Sequence, residues 1–473
     1  MRSLATDGVG ASPFAFTFRG FRDRREAGRL LAQEIVDAGV LEAKAGVVVV
    51  GLARGGVEVA DEVAQALHAP LDALAVRKVG HPWQPEYGIG AVAPGGVRFI
   101  RAHDGLTEAE VEEAARRTAV AADALDARLH ERCAPLRIAG TTCVLVDDGL
   151  ATGGTMVAAV HWARAHRAAR VIVAVPVGAA ETVASLERDP EVDALACLVA
   201  SHDFGAVGFW YEDFRQVSDD DVQAMLEAAF DGQLTRRADE IASGDARLPA
   251  DLAIPPQPLG WVLFAHGSGS SRRSPRNLSV AAALNRAHVA TLLFDLLTSE
   301  EELDRRNVFD VELLGHRLMA ATRWLRSQPE ASRLPIGYFG ASTGAAAALV
   351  AAAELPEEIS AVVSRGGRPD LAAAWLGRVR APTLLVVGSA DPVVLELNRE
   401  AAESLTCRSE LAVVPGATHL FEEPGALEQV ASLAAAWFAA AFEESHALVT
   451  LEQEEGHVEH EADVARAERA GAA

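Results

Sequence analysis

Hydrophobic and polar positions along this chain form two long runs of alternating helix-like and strand-like pattern, with a change of character between them. In the first run, Asp23 to Ala38 has helical periodicity that places Leu30, Leu31 and Ile35 on one face. Gly46 to Gly51 reads as a buried strand, Val57 to Leu67 as a helix, and Leu71 to Val79 as an extended segment. A long amphipathic helix is expected at Glu108 to Leu129, followed by a strand at Cys143 to Val146, a helix at Met156 to His166 and a strand at Arg170 to Pro176. Such alternation predicts a mostly parallel sheet flanked by helices. A second alternation begins at Trp261, with strands expected at Val262 to Ala265, Ile336 to Phe339, Thr383 to Val387 and Leu411 to Val414. The expectation is an α/β protein of two domains, 18–230 and 259–442. Residues 231–258, with Ser243-Gly244 and a Pro255-Pro256-Gln257-Pro258 cluster, read as a linker with some helix. Residues 443–473 read as a charged, solvated helix or frayed tail whose histidines (His446, His457, His460) could bind metal but are expected to be incidental.

Bulk composition narrows the function. A chain of 473 residues, half of them hydrophobic, can bury more than one core. A net charge of -24 argues against nucleic acid as a partner, because phosphate backbones demand a basic face. Cys133, Cys143, Cys197 and Cys407 lie far apart without metal-ligand spacing, which suits buried thiols in a reducing compartment. No secretory leader or membrane-length apolar run stands out, so a cytoplasmic location is expected. The only lysines are Lys44 and Lys78, and Lys44 is read as an incidental surface residue.

The densest chemistry lies at Val144 to Thr155, V-L-V-D-D-G-L-A-T-G-G-T. A strand ends in two carboxylates, Asp147 and Asp148, which can accept hydrogen bonds from vicinal hydroxyls. The loop Ala151-Thr152-Gly153-Gly154-Thr155 then opens a helix. Its glycines let successive N–H groups point at one anion, the helix N-terminus adds partial positive charge, and the threonines add hydroxyls. No Gly-Lys-Ser/Thr ends it, so it is not a Walker loop. A 5-phosphorylated ribose fits such a site as a unit. The stretch closely resembles the phosphoribosyl diphosphate (PRPP) signature of type I phosphoribosyltransferases. That resemblance implies a Rossmann-like N-terminal fold, with Asp147 and Asp148 on the ribose hydroxyls and Ala151 to Thr155 around the 5-phosphate. It also implies a diphosphate grip from Arg54 and Gly55, in the loop Gly51 to Gly56, and from Arg77 and Lys78. Mg would come with PRPP, held mainly by the ligand, and no dedicated metal site is expected. Gly80 to Arg101 would be a mobile lid, with Glu86, Arg98 and Arg101 as candidate contacts. Ser201 to Arg215 would supply a lip in which Phe204, Phe209, Trp210 and Tyr211 either stack on an acceptor or pack as core.

The second run carries a G-x-S-x-G motif, Gly340-Ala341-Ser342-Thr343-Gly344, between a strand and an Ala-rich helix. Asp391 follows on one strand-end loop and His419 on the next, which is the order Ser, acid, His of α/β-hydrolases. His419 would take the proton of Ser342, and Asp391 would fix the imidazole tautomer. Upstream, His266-Gly267-Ser268-Gly269 ends a strand where oxyanion donors belong, giving Gly267, Ser268, Ala341 and Thr343 as the candidate hole. This half resembles the dienelactone-hydrolase-like branch of the α/β-hydrolases over roughly Leu248 to Phe442. It departs from true dienelactone hydrolases in having Ser342 rather than Cys as nucleophile. Arg272, Arg273, Arg276, Arg365 and Arg368 fall near the same rim. They either pair with acids such as Asp295 and Asp370 or favour anionic esters and lactones.

The expected function is thus a bifunctional enzyme, an Mg/PRPP-dependent phosphoribosyltransferase joined to a serine esterase or lactonase. The alternative is a serine hydrolase whose first domain senses PRPP or a nucleotide. The expected partners are small molecules, with no nucleic acid and no membrane; a homodimer is left open.

Overall fold

A computed structural model of the chain describes residues 20–41, 46–101 and 105–446, apart from the side chains of 85 and 86. Lys44, the Glu86 side chain, His457 and His460 lie outside the described residues. The chain divides into two compact units, Met1–Gln233 and Leu234–Ala473.

In the first unit, strands β1 (Val47–Leu52), β2 (Leu71–Leu74), β6 (Thr142–Val146), β7 (Arg170–Ala179) and β8 (Ala194–Ser201) form a sheet of order β2-β1-β6-β7-β8. Every neighbouring pair in it is parallel. The period-2 pattern explains the layers. Val48, Val50 and Leu52 face one core and Val49 faces the opposite one, while on β6 Cys143 and Leu145 alternate with Val144 and Val146. A separate antiparallel sheet holds β3 (Arg77–His81), β4 (Gln84–Val92) and β5 (Arg98–Ile100). The extended reading of Leu71 to Val79 is therefore interrupted, with β2 and β3 entering different sheets. The segment read as a lid is itself folded, and Val79, Ile89 and Val92 pack on Ala114 and Ala115 of the helix Glu108–Leu129. On the helix Arg24–Asp37, Leu31 and Ile35 are buried but Leu30 is about half exposed. The buried positions Ala27, Gly28, Leu31, Ala32 and Ile35 define the core face, and Leu30, about 100° back from Leu31, falls outside it.

The second unit is an eight-stranded sheet of order β16-β15-β14-β13-β11-β12-β10-β9. Its strands are β9 (Thr235–Ser243), β10 (Ala246–Ile254), β11 (Gly260–Ala265), β12 (Val289–Phe294), β13 (Ile336–Ala341), β14 (Ile359–Arg365), β15 (Thr383–Gly388) and β16 (Ser409–Val414). The pairs β9/β10 and β10/β12 are antiparallel and the others parallel. On β11, Trp261, Leu263 and Ala265 enter one core and Val262 and Phe264 the other. The linker expected at 231–258 is corrected here. Most of it is the β9/β10 hairpin, which belongs to the sheet. β9 lies at the sheet edge and carries the charged pairs Arg236-Arg237 and Asp239-Glu240 with Ile241 as its only large apolar residue, so it lacks the apolar signal of an inner strand. Of the proposed tail, residues 443–446 continue a helix over 426–446, and the rest lies outside the described residues. Among the described residues, no helix is long and apolar enough to cross a membrane.

One buried network beside the first sheet makes a stability prediction. His130, just after the helix Glu108–Leu129, contacts Asp72 of β2 through Nε2 at 2.8 Å and the Asp126 carbonyl through Nδ1 at 2.9 Å. Burial alone would favour neutral imidazole, but hydrogen bonds to Asp126 and Asp72 and their charges outweigh it and push the pKa up to about 10. The stabilisation is fully present below the unfolded value near 6.5 and is lost as pH rises through about 10. His130→Ala leaves Asp72 buried without this partner, so a loss of about 3–5 kcal/mol is expected at pH 7. Urea unfolding of wild type and variant should show that gap shrinking between pH 7 and pH 10.

Candidate functional sites

β6 delivers Asp147 and Asp148 at its carboxyl end, where ligands bind in open parallel sheets. Burial raises the pKa of both carboxyls, and for Asp147 the neighbouring Asp148 raises it further; Arg24 opposes the shift at Asp148. Arg24 Nε donates to Asp148 Oδ2 at 2.9 Å and Nη1 donates to the Arg215 carbonyl at 2.8 Å. Its guanidinium also lies 3.9 Å from the centroid of the Phe214 ring. The Tyr211 hydroxyl donates to the Asp148 carbonyl at 2.5 Å. The helix Gly55–Leu67 starts against this pair, and a Cβ on Gly55 would come within 2.2 Å of Asp148 Oδ2. Only glycine lets that helix end approach the carboxylates.

The loop Ala151 to Thr155 curls into the helix Gly154–Ala165 with Gly153 in the left-handed region at φ 76°. The first helical hydrogen bond runs from Val157 N–H to the Gly153 carbonyl at 2.9 Å, which leaves the amides of Gly154, Thr155 and Met156 pointing out of the helix end. Thr182 Oγ1 pins the loop through the Ala151 carbonyl at 2.7 Å. Lys78 lies close enough to bias both Asp147 and Asp148 electrostatically. Arg77 and Lys78 are exposed, and neither has an ion-pair partner among the described residues. Arg54 differs, being paired at 3.4 Å with Asp219. Arg98 is held by Glu112 at 2.6 Å, and Arg101 donates to the Thr152 carbonyl, so the end of β5 is tied to the loop Ala151 to Thr155. Of the expected aromatic lip, Phe204 and Tyr211 are buried with Phe21 and Val177, and Trp210 packs beside them. Phe209 alone of the four is largely exposed, at 83%.

In the second unit, β13 runs into Ser342, which is held at φ 52°, ψ -117° ahead of the helix Thr343–Glu354. Gly344 permits this turn, because a Cβ there would lie 2.1 Å from the Ala265 carbonyl oxygen. The structure brings the three expected residues together: His419 Nε2 is 3.3 Å from Ser342 Oγ, and His419 Nδ1 is 2.8 Å from Asp391 Oδ2. Asp391 also caps the helix Pro392–Ser404 through Val394 N–H at 3.4 Å. This second bond fixes the carboxylate behind the imidazole.

The oxyanion candidates divide. Ser268 N–H already donates to Thr343 Oγ1 at 2.9 Å, so its amide is spent on bracing the loop. Gly267 lies beside the nucleophile, with a Cβ position 3.1 Å from Ser342 Cβ. Thr343 opens the helix, where its amide has no helical acceptor. Ala341 is the last residue of β13 and contributes position rather than a demonstrated donor. His266 accepts Leu296 N–H at Nε2, 3.1 Å, which assigns its proton to Nδ1, facing the Gly267 carbonyl at 3.1 Å. Burial lowers its pKa and keeps it neutral.

Comparison with known proteins fits this division. A phosphoribosyl transferase domain matches residues 24–212, and a dienelactone hydrolase family domain matches residues 285–444. A Mycobacterium tuberculosis protein, provisionally named a phosphoribosyl transferase, is 50% identical over 445 residues, covering 88% of this chain and 97% of its own. The chain belongs to this two-domain family. Among solved structures, a dienelactone hydrolase from Anabaena variabilis is 55% identical, covering 44% of this chain and 97% of its own, with a TM-score of 0.43. The Thermus thermophilus protein TT1426 is 41% identical, covering 44% of this chain and 97% of its own, at a TM-score of 0.38.

Around the hydrolase domain's Ser342, the rim arginines sort themselves. Arg272 bonds Asp251 at 2.9 Å and Asp295 at 2.5 Å, and Arg368 bonds Asp370 at 2.8 and 2.7 Å. Those two are internally neutralised. Arg276 reaches Glu422 at 3.2 Å. Arg365 is 8% exposed and has no ion-pair partner among the described residues; its carbonyl accepts Ser342 N–H at 3.2 Å. Burial, with Arg276 nearby, pushes its pKa down to about 10, so it stays cationic at neutral pH. In the transferase domain, the residue that the sequence reading missed is Arg24. Its partner Asp148 is 124 residues away, and Arg24 sits in a run of charges, Arg22 to Glu26, that reads as a solvated surface.

Proposed function

We propose that this chain is a bifunctional enzyme, with a serine hydrolase in its second domain and an Mg/PRPP-dependent phosphoribosyltransferase in its first. The observation that carries the reading is the hydrogen-bonded line Ser342–His419–Asp391 on a strained strand-to-helix turn. In the hydrolase step, Ser342 Oγ attacks the ester or lactone carbonyl while its proton passes to His419 Nε2. The carbonyl oxygen takes the charge beside Gly267 and Thr343, and the C–O bond to the leaving alcohol then breaks as His419 returns the proton to it. Water repeats the sequence on the acyl enzyme. A fluorophosphonate probe is the test: it should label wild type at Ser342, and labelling that persists in Ser342→Ala would refute the assignment.

Support for the transferase comes from the buried carboxylate pair beside a phosphate cup. Asp147 and Asp148 would orient the ribose hydroxyls, the amides and hydroxyls of Ala151 to Thr155 would hold the 5-phosphate, and Arg77 and Lys78 would meet the diphosphate. Among the described residues, no group of three or more His, Cys, Asp or Glu is set to hold a metal. Two carboxylates fit an Mg ion that arrives with PRPP and keeps mostly phosphate oxygens and water. Bound there, it would neutralise the departing diphosphate. One observation favours the sensor alternative: Arg54, expected on the diphosphate, is engaged by Asp219. Diphosphate release from PRPP against a panel of nucleobases separates the two.

The unpaired Arg365 supports an anionic substrate. A guanidinium buried without a carboxylate is costly, and a carboxylate or phosphate on the ligand would relieve it. Arg365→Met should therefore lower kcat/KM on anionic esters by about tenfold or more, an interaction of roughly 1.5–3 kcal/mol, and leave neutral esters nearly unchanged. Equal losses on both classes in steady-state assays would refute this role.

A further inference from the structure

Beside the nucleophile, a small cavity of about 140 Å³ opens under the 266–269 loop. Its lining combines Gly267, Ser268 and Thr343 with the apolar side chains of Leu296, Leu297, Val308 and Leu314. Neither His419 nor the loop around it lines this space. His419 hands its proton to the leaving alcohol, so the alcohol half departs on the histidine side. The group left on the carbonyl carbon would then extend away from His419, toward the oxyanion loop and the cavity that Gly267 and Thr343 line.

The walls are fixed. Leu296, Leu297 and Leu314 are buried. Val308 rides on the short helix Arg305–Phe309, which Asn307 ties to the Glu301 carbonyl at 3.0 Å. Glu301 is in turn held by Arg317 at 2.5 Å and caps Thr298 N–H at 2.9 Å. A rigid apolar space has a definite capacity, and an engineered lysozyme cavity of about 150 Å³ accommodates benzene. Charge adds a second filter. Glu302 is the one acidic side chain on the lining, His266 is neutral, and no Lys or Arg lines it.

We infer that this cavity is the acyl pocket of the hydrolase and restricts the acyl half to a neutral, apolar group of benzoyl size or about four to six carbons. The inference rests on the hydrolase reading above and adds the substrate class to it. Any anion on the substrate then belongs to the alcohol half.

The experiment is a kcat/KM series on nitrophenyl acetate, butyrate, hexanoate, octanoate, decanoate, benzoate and hemisuccinate, read as ratios within each protein. Wild type should peak at butyrate, hexanoate or benzoate, with decanoate and hemisuccinate each lower by about tenfold or more. Leu314→Ala should move the peak toward octanoate, Val308→Trp should move it to acetate, and Glu302→Gln should raise the hemisuccinate-to-butyrate ratio. A wild-type profile that is flat or peaks at decanoate overturns the pocket assignment while leaving the hydrolase intact. So does a peak that neither Leu314→Ala nor Val308→Trp moves. No turnover of any ester, together with no fluorophosphonate labelling of Ser342, overturns both.

Discussion

Ser342→Ala should abolish hydrolysis of nitrophenyl butyrate, with kcat falling by a factor on the order of 10⁴ or more. The reason lies in how the three side chains act as a unit. His419 stands 3.3 Å from Ser342 Oγ and 2.8 Å from Asp391, so removing the oxygen leaves a base with no proton to take. His419→Ala should cost nearly as much as Ser342→Ala, and the double variant little more than either single one. Asp391→Asn should fall by roughly 10³–10⁴, since it preserves shape but no longer holds the required imidazole tautomer. Additive losses across the double variant in steady-state kinetics would contradict a shared proton path.

The second large effect is expected at Asp147, where function and stability pull apart. Desolvation and Asp148 raise the Asp147 pKa well above the ordinary carboxylate value. The folded protein therefore holds this proton more tightly than the unfolded chain does. Stability from this group is fully present below the unfolded value near 3.8 and is lost as pH rises through the raised folded value. Asp147→Asn removes that penalty and should raise the Tm of the first domain at pH 8. The same change should weaken PRPP by about 10- to 150-fold, the equivalent of a charged hydrogen bond worth roughly 1.5–3 kcal/mol. A neutral or lowered Tm at pH 8 would contradict the burial cost assigned to Asp147. Asp148→Asn should behave differently, because it removes the closer carboxylate of the buried Arg24, leaving Glu58 at 4.0 Å, and should destabilise the fold.

The contrast between those two aspartates marks what the sequence discloses. Strand-end chemistry is legible when the motif is contiguous: Asp147-Asp148 with its glycine loop, and Ser342 inside its elbow, declare themselves through local spacing. Asp391 and His419 are legible because each follows a strand pattern in a fixed order. Arg24 is not, because its role depends on a contact across 124 residues and its neighbours look like surface. The His130–Asp72 contact is hidden in the same way, being 58 residues long. At 235–254 the pattern misleads, since an edge hairpin exposes one face and carries Pro249 inside a strand. Ser268 shows a finer limit. Its loop could be placed from sequence, but only coordinates reveal that its amide is occupied by Thr343.

Calorimetric titration of PRPP with Mg into the full chain carrying Ser342→Ala tests most directly whether two independent sites coexist. The account predicts saturable binding of one PRPP per chain, with the same Kd as wild type, although this variant no longer cleaves esters. Absence of binding heat at millimolar PRPP in both proteins, or a Kd that changes with Ser342, would contradict it.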